Sequence, residues 1–239
     1  MISIVIPTYK EEKLIGQTLS RLKAGLTLPY EIIVADDKSP DDTAQIAEKF
    51  ADIVLHPAVK HGTIAENRNE GARAARGDIL VFMDTDTRVL DPNAFFTRAL
   101  ETLESQPDIV AVTGAMRVLP EMETRADRIM YMIFNLIIMV KNNLLHMGEA
   151  QGKFQMIKRS AFEKISGYRE DLVTREDADI FHRLAKIGKT VYDPKLLVYH
   201  TGRRAHRVGW PKLLTTWMIE SVWFFLFDKS IAKEWKPVR

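Results

Sequence analysis

The chain of 239 residues contains no cysteine. Disulfide bonds, zinc–thiolate sites and a cysteine nucleophile are therefore excluded. The sequence also lacks internal repeats, low-complexity stretches and linkers rich in Pro, Gly or Ser. Collagen-like and wholly disordered proteins are thereby excluded. Because 46% of the residues are hydrophobic, a chain of this length can bury a full core as a globular protein.

The chain also lacks a large excess of charge, since its formal net charge is +2. This value does not indicate a nucleic-acid partner, and we expect none. The charge is unevenly distributed, because residues 200–239 contain eight Lys and Arg but three Asp and Glu. A basic tail on a slightly acidic body favours contact with an anionic surface. Residues 1–7 are typical of a buried strand, so we expect no targeting peptide there.

Long hydrophobic runs are missing as well. Residues 129–140 and 213–227 are strongly apolar but only 12 and 15 residues long, whereas a helical membrane span needs about 20. Aromatic side chains flanked by Lys212 and Lys229 favour amphipathic helices that lie in a membrane interface. Core helices and an oligomeric contact are the alternatives.

The pattern of apolar runs predicts an α/β protein. Strand-like runs lie at residues 2–6, 32–35, 53–55, 79–83, 109–113, 154–157 and 196–200. Helical patterns alternate with the first five, which is typical of a doubly wound, mostly parallel sheet with helices on both faces. Ser39 before Pro40 predicts one helix start, and Thr174 with Asp177 has the spacing of a capping box.

The sharpest chemical signal is the acidic pair Asp84 and Asp86 after the fourth predicted strand. Residues two apart on an extended chain point to the same side, and the carboxyl edge of a parallel sheet is where ligands bind. Two neighbouring carboxylates repel each other unless a cation lies between them. The pair therefore predicts a Mg²⁺ or Mn²⁺ site, with a solvated turn as the alternative.

Two further acidic pairs are candidates for substrate contacts. Asp36 and Asp37 follow the second strand, where a carboxylate can accept hydrogen bonds from a ribose or a base. The alternative is an Asx turn or a helix cap. Glu176 and Asp177 open a predicted helix. Asp177 is either a general base for an acceptor hydroxyl or the closing residue of the capping box.

Four segments in this order resemble the family 2 glycosyltransferases. They are residues 3–12 (SIVIPTYKEE), residues 32–41 (IIVADDKSPD), residues 67–86 (with NRNEG, ARGD and FMDTD) and residues 176–177. The resemblance covers about residues 2–200 and is nearest to polyprenyl-phosphate sugar transferases and cellulose-synthase-like catalytic domains. It implies a GT-A fold, a nucleoside-diphosphate sugar donor, a Mn²⁺ or Mg²⁺ cofactor and transfer with inversion.

The resemblance also implies roles for individual residues. Contacts to the nucleotide are implied for Pro7, Tyr9, Glu11 or Glu12, and Asp37 with Asp36 beside it. Arg68 would face the diphosphate or the sugar, and Asp84 would orient the ribose or sugar. Asp84 and Asp86 would hold the metal, and Asp177, paired with Glu176, would be the catalytic base.

The end of the last predicted strand adds a candidate metal ligand and a basic loop. His200 would complete the metal shell, with a surface histidine as the alternative. The basic loop consists of Arg203, Arg204, Arg207 and Trp210. It is either a lid over the diphosphate or a cationic patch at anionic lipid. It lacks the Gln of the Gln-x-x-Arg-Trp motif of cellulose-synthase-like enzymes, so the resemblance does not imply processive synthesis.

We therefore predict a GT-A domain over residues 1–205 and a basic, aromatic, membrane-interface segment over residues 206–239. Residues 1–115 would be its nucleotide-binding half and residues 116–205 its acceptor half, with an interface helix over residues 127–145.

The predicted activity is metal-dependent, inverting transfer of a hexose to a lipid-linked acceptor at the cytoplasmic face of the cell membrane. GDP-mannose is favoured over UDP-glucose as the donor. The alternatives are a sugar-nucleotide nucleotidyltransferase and a non-catalytic, membrane-bound module that binds nucleotide sugars.

Overall fold

The computed structural model describes residues 1–56 and 62–232. Residues 233–239 of the predicted membrane-interface segment lie outside the described residues. The strands are β1 (Ile2–Thr8), β2 (Tyr30–Asp36), β3 (Ile53–Leu55), β4 (Ile79–Phe82), β5 (Ile109–Val118), β6 (Gln155–Lys158) and β7 (Lys189–His200). They form a seven-stranded sheet in the order β3-β2-β1-β4-β6-β5-β7. Within it β6 is antiparallel to both neighbours, and the other pairs are parallel. The predicted mostly parallel sheet is confirmed.

Helices cover the sheet. They are α1 (Ile15–Gly25), α2 (Thr43–Ala47), α3 (Ile64–Ala74), α4 (Pro92–Glu104), α5 (Arg125–Met139), α6 (Arg159–Lys164), α7 (Glu176–Leu184), α8 (Arg203–Val208) and α9 (Trp210–Phe227). A π-helical turn, Val140–Leu144, continues α5. None of the helices within the described ranges is both long enough and apolar enough to cross a membrane.

Both faces of the sheet are buried, which explains the continuous apolar runs. Ile4 and Ile6 of β1 pack into one core cluster with α1 and α4. Val5, between them, packs into the cluster on the other face, which contains residues of α3 and α7. Successive side chains of a strand point to opposite faces. A strand that is covered on both sides therefore has to be apolar at every position.

Two predicted helix starts are wrong. Helix α2 begins at Thr43 rather than after Ser39, because the Ser39 side chain and backbone both bond the carboxylate of Asp36. Helix α7 begins at Glu176, and the predicted capping box of Thr174 does not form. Its N-cap residue is Arg175, in the left-handed region at φ 68°.

The antiparallel strand β6 places an unexpected segment beside the acidic pair. Phe82 at the end of β4 is opposite Gln155 at the start of β6. Because the two strands run in opposite directions, the residues after Phe82 lie beside the residues before Gln155. Asp84 is thereby brought next to Lys153, two residues beyond each end of this pairing. The register of the sheet thus joins two distant parts of the sequence at its ligand-binding edge.

Candidate active site

A cavity of about 990 Å³ lies at the carboxyl edge of the sheet. It has two unlike surfaces. The charged floor consists of Arg68, Asp84, Asp86, Lys153, Glu176 and Asp177. The apolar wall consists of Tyr131, Phe134, Ile137 and Ile138 of α5 and Leu213 and Trp217 of α9. The structure thus brings both predicted acidic pairs, Asp84 with Asp86 and Glu176 with Asp177, into one cavity.

Lys153 lies between the two carboxylates of the first acidic pair. Its Nζ atom donates to Asp84 Oδ2 at 2.9 Å and to Asp86 Oδ1 at 2.6 Å. Asp86 Oδ2 accepts from the Thr201 hydroxyl at 3.0 Å and lies 3.7 Å from Arg203 Nε. Burial alone would raise the pKa of Asp86, but Lys153 and Arg203 outweigh it and hold that pKa well below its usual range. Asp86 is therefore a carboxylate.

Arg68 of α3 joins the acidic pair of β4 to that of α7. It is buried, with 1% of its surface exposed. Its guanidinium donates to Asp84 Oδ1 and Glu176 Oε1, each at 3.1 Å, and to the Gly152 carbonyl at 3.3 Å. A Cβ atom at Gly152 would lie 2.5 Å from this guanidinium, so a larger residue there would displace it. A buried guanidinium with these partners holds both carboxylates in fixed positions.

Asp177 lines the cavity and is held by backbone donors rather than by a helix cap. Its Oδ2 atom accepts from the Gly152 N–H at 3.0 Å, and its Oδ1 atom accepts from the Ala178 N–H at 2.8 Å. Burial raises the pKa of Asp177 and of Glu176, and Arg68 opposes this rise for both. Raised carboxyl pKa values in a cleft are typical of groups that handle protons or orient substrates.

His200 is buried at the end of β7, and burial lowers its pKa to about 4. Its Nδ1 atom accepts from the Gly202 N–H at 3.1 Å. Because a backbone N–H is always a donor, the proton of the neutral ring is on Nε2. That atom is buried without a partner. In this tautomer Nε2 has no lone pair for a metal, so the prediction that His200 is a metal ligand does not fit the structure.

The other residues of the predicted metal site do not fit a divalent ion in this arrangement either. Each carboxylate oxygen of Asp84 and Asp86 already faces a donor from Arg68, Lys153, Thr201 or Arg203. In the described part of the chain, no group of three or more His, Asp or Glu side chains could hold a metal. The predicted Mn²⁺ or Mg²⁺ is not confirmed. Lys153 was not among the predicted site residues, because its position beside the acidic pair depends on the register of β6.

The nucleotide-binding residues predicted at the ends of β1 and β2 divide into two groups. Pro7, Tyr9, Glu11 and Asp37 line the cavity. Glu11 forms a bidentate pair with Arg203, at 2.5 and 3.0 Å. Asp37 accepts from the Gly62 N–H at 3.1 Å. These residues form the end of the cavity nearest to β1 and β2.

Asp36 and Glu12 lie outside the cavity, which corrects their predicted substrate contacts. Asp36 is buried, and its carboxylate accepts from Thr8 and Ser39. These bonds hold the turn after β2, as expected for an Asx turn. Glu12 is exposed, and it accepts from the Asp42 N–H at 3.5 Å.

The predicted basic loop is helical at its start and only partly faces the cavity. Arg203 and Arg204 of α8 line it. Arg207 and Trp210 do not, which corrects their predicted contact with the diphosphate. The Trp210 ring packs on Tyr131, and its Nε1 donates to Asp127 at 2.8 Å. Trp210 therefore fixes α9 against α5.

Arg175 is a second cavity residue that the sequence analysis missed. Its guanidinium donates to Ser221 of α9 at 2.5 Å and lies over the Phe224 ring, 5.7 Å from the centroid. Its Nε atom is buried without a hydrogen-bond partner. A left-handed non-glycine residue beside a cavity is typical of a functional constraint. Arg175 lies where the charged floor meets the apolar wall.

Behind the apolar wall, the outer faces of α5 and α9 are exposed and apolar. The exposed large apolar residues of this outer face of α5 are Ile129, Met132, Ile133 and Leu136. Those of α9 are Met218, Ile219, Val222, Trp223, Phe225, Leu226 and Phe227. The polar residues Glu220 and Ser221 instead line the cavity. This arrangement is the reverse of a helix that turns its polar face to water.

Comparisons with known proteins agree with this geometry. The sequence model described as Glycosyl transferase family 2 matches residues 3–166. The O-antigen chain rhamnosyltransferase RfbN of Salmonella typhimurium is 26% identical over 84% of this chain and 66% of its own. The undecaprenyl-phosphate 4-deoxy-4-formamido-L-arabinose transferase of Pseudomonas fluorescens is 33% identical over 48% of this chain and 36% of its own. The chain thus spans about a third to two thirds of the length of these curated relatives.

A solved structure shares the fold. The mannosyltransferase PcManGT of Pyrobaculum calidifontis, in complex with GDP-Man and Mn²⁺, superposes with a TM-score of 0.68. It covers 84% of this chain and 56% of its own, at 19% identity. The predicted GT-A fold is confirmed.

Proposed function

Because the chain belongs to glycosyl transferase family 2, we propose that it transfers a hexose from a nucleoside-diphosphate sugar to a lipid-linked acceptor with inversion at the anomeric carbon. The observation that carries the proposal is the cavity itself. One cavity joins a floor of paired charges to an apolar wall whose outer side is exposed. A substrate with a charged head and a long hydrocarbon chain fits these two surfaces together.

The donor would occupy the end of the cavity nearest to β1 and β2. Pro7, Tyr9 and Asp37 would contact the nucleotide, as the nucleotide-binding half requires. Arg203, beside Glu11 and Asp86, would face the diphosphate. Cations placed there stabilise the negative charge that develops on a leaving diphosphate. A GDP-mannose donor is favoured, since a structure with the same fold was solved with GDP-Man; UDP-glucose is the second candidate.

The acceptor would be a polyprenyl phosphate that enters along the apolar wall. Arg175 and Arg204 line the cavity beside Glu220 of α9, and their guanidinium groups would contact an anionic head group. Burial raises the pKa of Glu220, and Arg175 and Arg204 oppose this rise. The relative from Pseudomonas fluorescens is named for an undecaprenyl-phosphate substrate.

Transfer would form a bond between an acceptor oxygen and the anomeric carbon, on the face opposite to the diphosphate. The bond from that carbon to the diphosphate oxygen would break, and its electron pair would leave with the nucleoside diphosphate. A phosphate oxygen is already ionised, so Asp177 would orient the sugar. With a hydroxyl acceptor, Asp177 would instead take the proton. The predicted Mn²⁺ or Mg²⁺ has no step here, because the oxygens of Asp84 and Asp86 already have partners.

Peripheral binding at the cytoplasmic face of the cell membrane completes the proposal. Residues 127–145 and 206–239 would be the segments that face the lipid. Their exposed apolar residues would be removed from water in the membrane interface, and the basic residues of the C-terminal segment would be attracted to anionic lipid.

A binding panel followed by a transfer assay tests the proposal. GDP, UDP, ADP, CMP and dTDP are each added with Mn²⁺, Mg²⁺ or EDTA, and the melting temperature is measured. A ligand at about 100 times its Kd stabilises a protein by about 2.7 kcal/mol, which is readily measured. The best nucleotide's labelled hexose is then supplied with polyprenyl phosphate in anionic vesicles, and we expect labelled lipid.

Three outcomes would contradict the proposal. If no nucleoside diphosphate raises the melting temperature, the proposed donor is wrong. Release of pyrophosphate from a nucleoside triphosphate and a sugar phosphate would indicate the nucleotidyltransferase. Binding of a nucleotide sugar without any transfer would indicate the non-catalytic module.

A further inference from the structure

The acidic pair of the charged floor contains its own cation. The Lys153 ammonium contacts both carboxylates, and its side chain is 20% exposed at the cavity. It comes from the segment before β6, which the pairing of Phe82 with Gln155 aligns with the segment after β4. The pairing of β4 with β6 thus brings the turn that contains Lys153 beside the acidic pair.

Three further side chains lie against the two carboxylates of the acidic pair. Arg68 occupies the second oxygen of Asp84, while Thr201 and Arg203 face the second oxygen of Asp86. A divalent ion between the two carboxylates would have to take the place of the Lys153 ammonium group, which contacts both of them. The Nε2 atom of His200 holds the proton of the neutral ring and has no lone pair for a metal.

We infer that Lys153, rather than a divalent ion, is the resident cation of the Asp84–Asp86 pair, and that it contacts the diphosphate of the donor together with Arg203. Nucleoside diphosphates then bind without added metal. Both side chains line the same cavity, and each contacts Asp86. Ammonium and guanidinium groups that are already held by carboxylates need little rearrangement to receive a phosphate group.

The inference rests on the proposed function and is tested first on the unaltered protein. Binding of GDP and UDP is measured by calorimetry in EDTA and in Mn²⁺. We expect the same Kd, within about threefold, in both conditions. Binding that occurs only with Mn²⁺ would overturn the inference and leave the proposed function intact. Absence of binding in every condition would overturn both.

The variant Lys153→Met supplies the second arm. Loss of a charged hydrogen bond to the diphosphate weakens nucleotide binding in EDTA by about tenfold to a hundredfold. Because Asp84 Oδ2 and Asp86 Oδ1 then lose the Lys153 donor, we expect Mn²⁺ to restore much of this binding. Binding of Mn²⁺ alone is measured by electron paramagnetic resonance. We expect Mn²⁺ to bind the variant but not the unaltered protein. Equal Mn²⁺ binding by both proteins contradicts the inference.

Lys158→Met is the matched control. Lys158 lies on β6 outside the cavity and donates to the Pro107 carbonyl, so the charge change is the same and nucleotide binding should not change. The EDTA measurement on the unaltered protein decides the question even if Lys153→Met does not fold.

Discussion

The charged floor and the apolar wall of the cavity differ in how far their residues are paired or covered by other residues of the chain. In the floor, Arg68 is 1% exposed and its carboxylate partners come from β4 and α7. The floor is complete within the chain. In the wall, α5 and α9 pack on each other through Tyr131, Phe134, Trp210 and Trp217. Within residues 1–56 and 62–232, the outer side of both helices is left exposed, and Phe225 is 86% exposed.

This difference shows which of the two surfaces needs a partner from outside the chain. Buried charges are costly unless they are paired, so the floor has to be preorganised before substrate arrives. Exposed apolar area is costly in water and becomes favourable only when something apolar covers it. The floor would therefore act on any donor in solution, whereas the wall would act only at a lipid surface. Substitutions in the two regions should have separate effects.

Asp86→Asn should have the largest effect. This effect should appear in transfer and not in vesicle binding. The substitution keeps the shape of the side chain but removes the charge that holds Lys153 and Arg203. We expect transfer to fall about 10²- to 10³-fold, as for the loss of one electrostatic partner in an active site. The measurement is kcat/KM with labelled donor, alongside vesicle binding, which should not change. Undiminished transfer would contradict the role of the floor.

Asp177→Asn should lower transfer by about 10²-fold, because the sugar would lose a fixed acceptor of hydrogen bonds. The Gly152 and Ala178 N–H groups bond different oxygens of Asp177, so the amide oxygen can accept from only one of them. The other N–H loses its acceptor, which costs about 1–3 kcal/mol, and we expect the protein to stay folded. Transfer rate and circular dichroism are measured together. A loss of transfer accompanied by unfolding would leave Asp177 a structural residue of the floor.

Phe225→Ser combined with Leu226→Ser should affect the wall alone. These side chains are 86% and 63% exposed, and burial of each in a membrane interface is worth about 1.5–3 kcal/mol when complete. With partial burial we expect about tenfold to a hundredfold weaker binding to anionic vesicles, and unchanged nucleotide binding. Leu90→Ser is the control, since Leu90 is 67% exposed outside the wall. Equal vesicle binding by all three proteins would exclude the wall as the lipid contact.

Glu149→Gln should have the smallest effect, a shift in the pH profile. Burial raises the pKa of Asp177, Arg68 opposes the rise, and the negative charge of Glu149 adds to it. Transfer requires the carboxylate, so the rate falls as the pH decreases through this raised pKa. Without the Glu149 charge that pKa decreases, and the acidic limb of kcat/KM should move to lower pH by less than about one unit. Glu163→Gln, on exposed α6, should leave the limb unchanged; a shift to higher pH for Glu149→Gln would contradict the assignment.

Local patterns in the sequence predicted most of the elements. The seven strands lie where the apolar runs were, because a strand covered on both faces must be apolar throughout. The acidic residues at the strand ends were recognisable because carboxyl ends of parallel strands converge. Helix starts were less predictable. Ser39 bonds Asp36 instead of capping α2, because a short polar side chain can form hydrogen bonds with several nearby groups.

The sequence by itself determined the family, the α/β architecture, the acidic pairs and the apolar segments, since each depends on residues that are close along the chain. Only the tertiary structure decided what partners those residues have. Lys153 reaches Asp84 through the register of β6, and Trp210 contacts Asp127 rather than the cavity. Glu220 and Ser221 of α9 line the cavity. The physical reason is that ion pairs and packing depend on distance in space. Sequence spacing predicts that distance only within a single helix or strand.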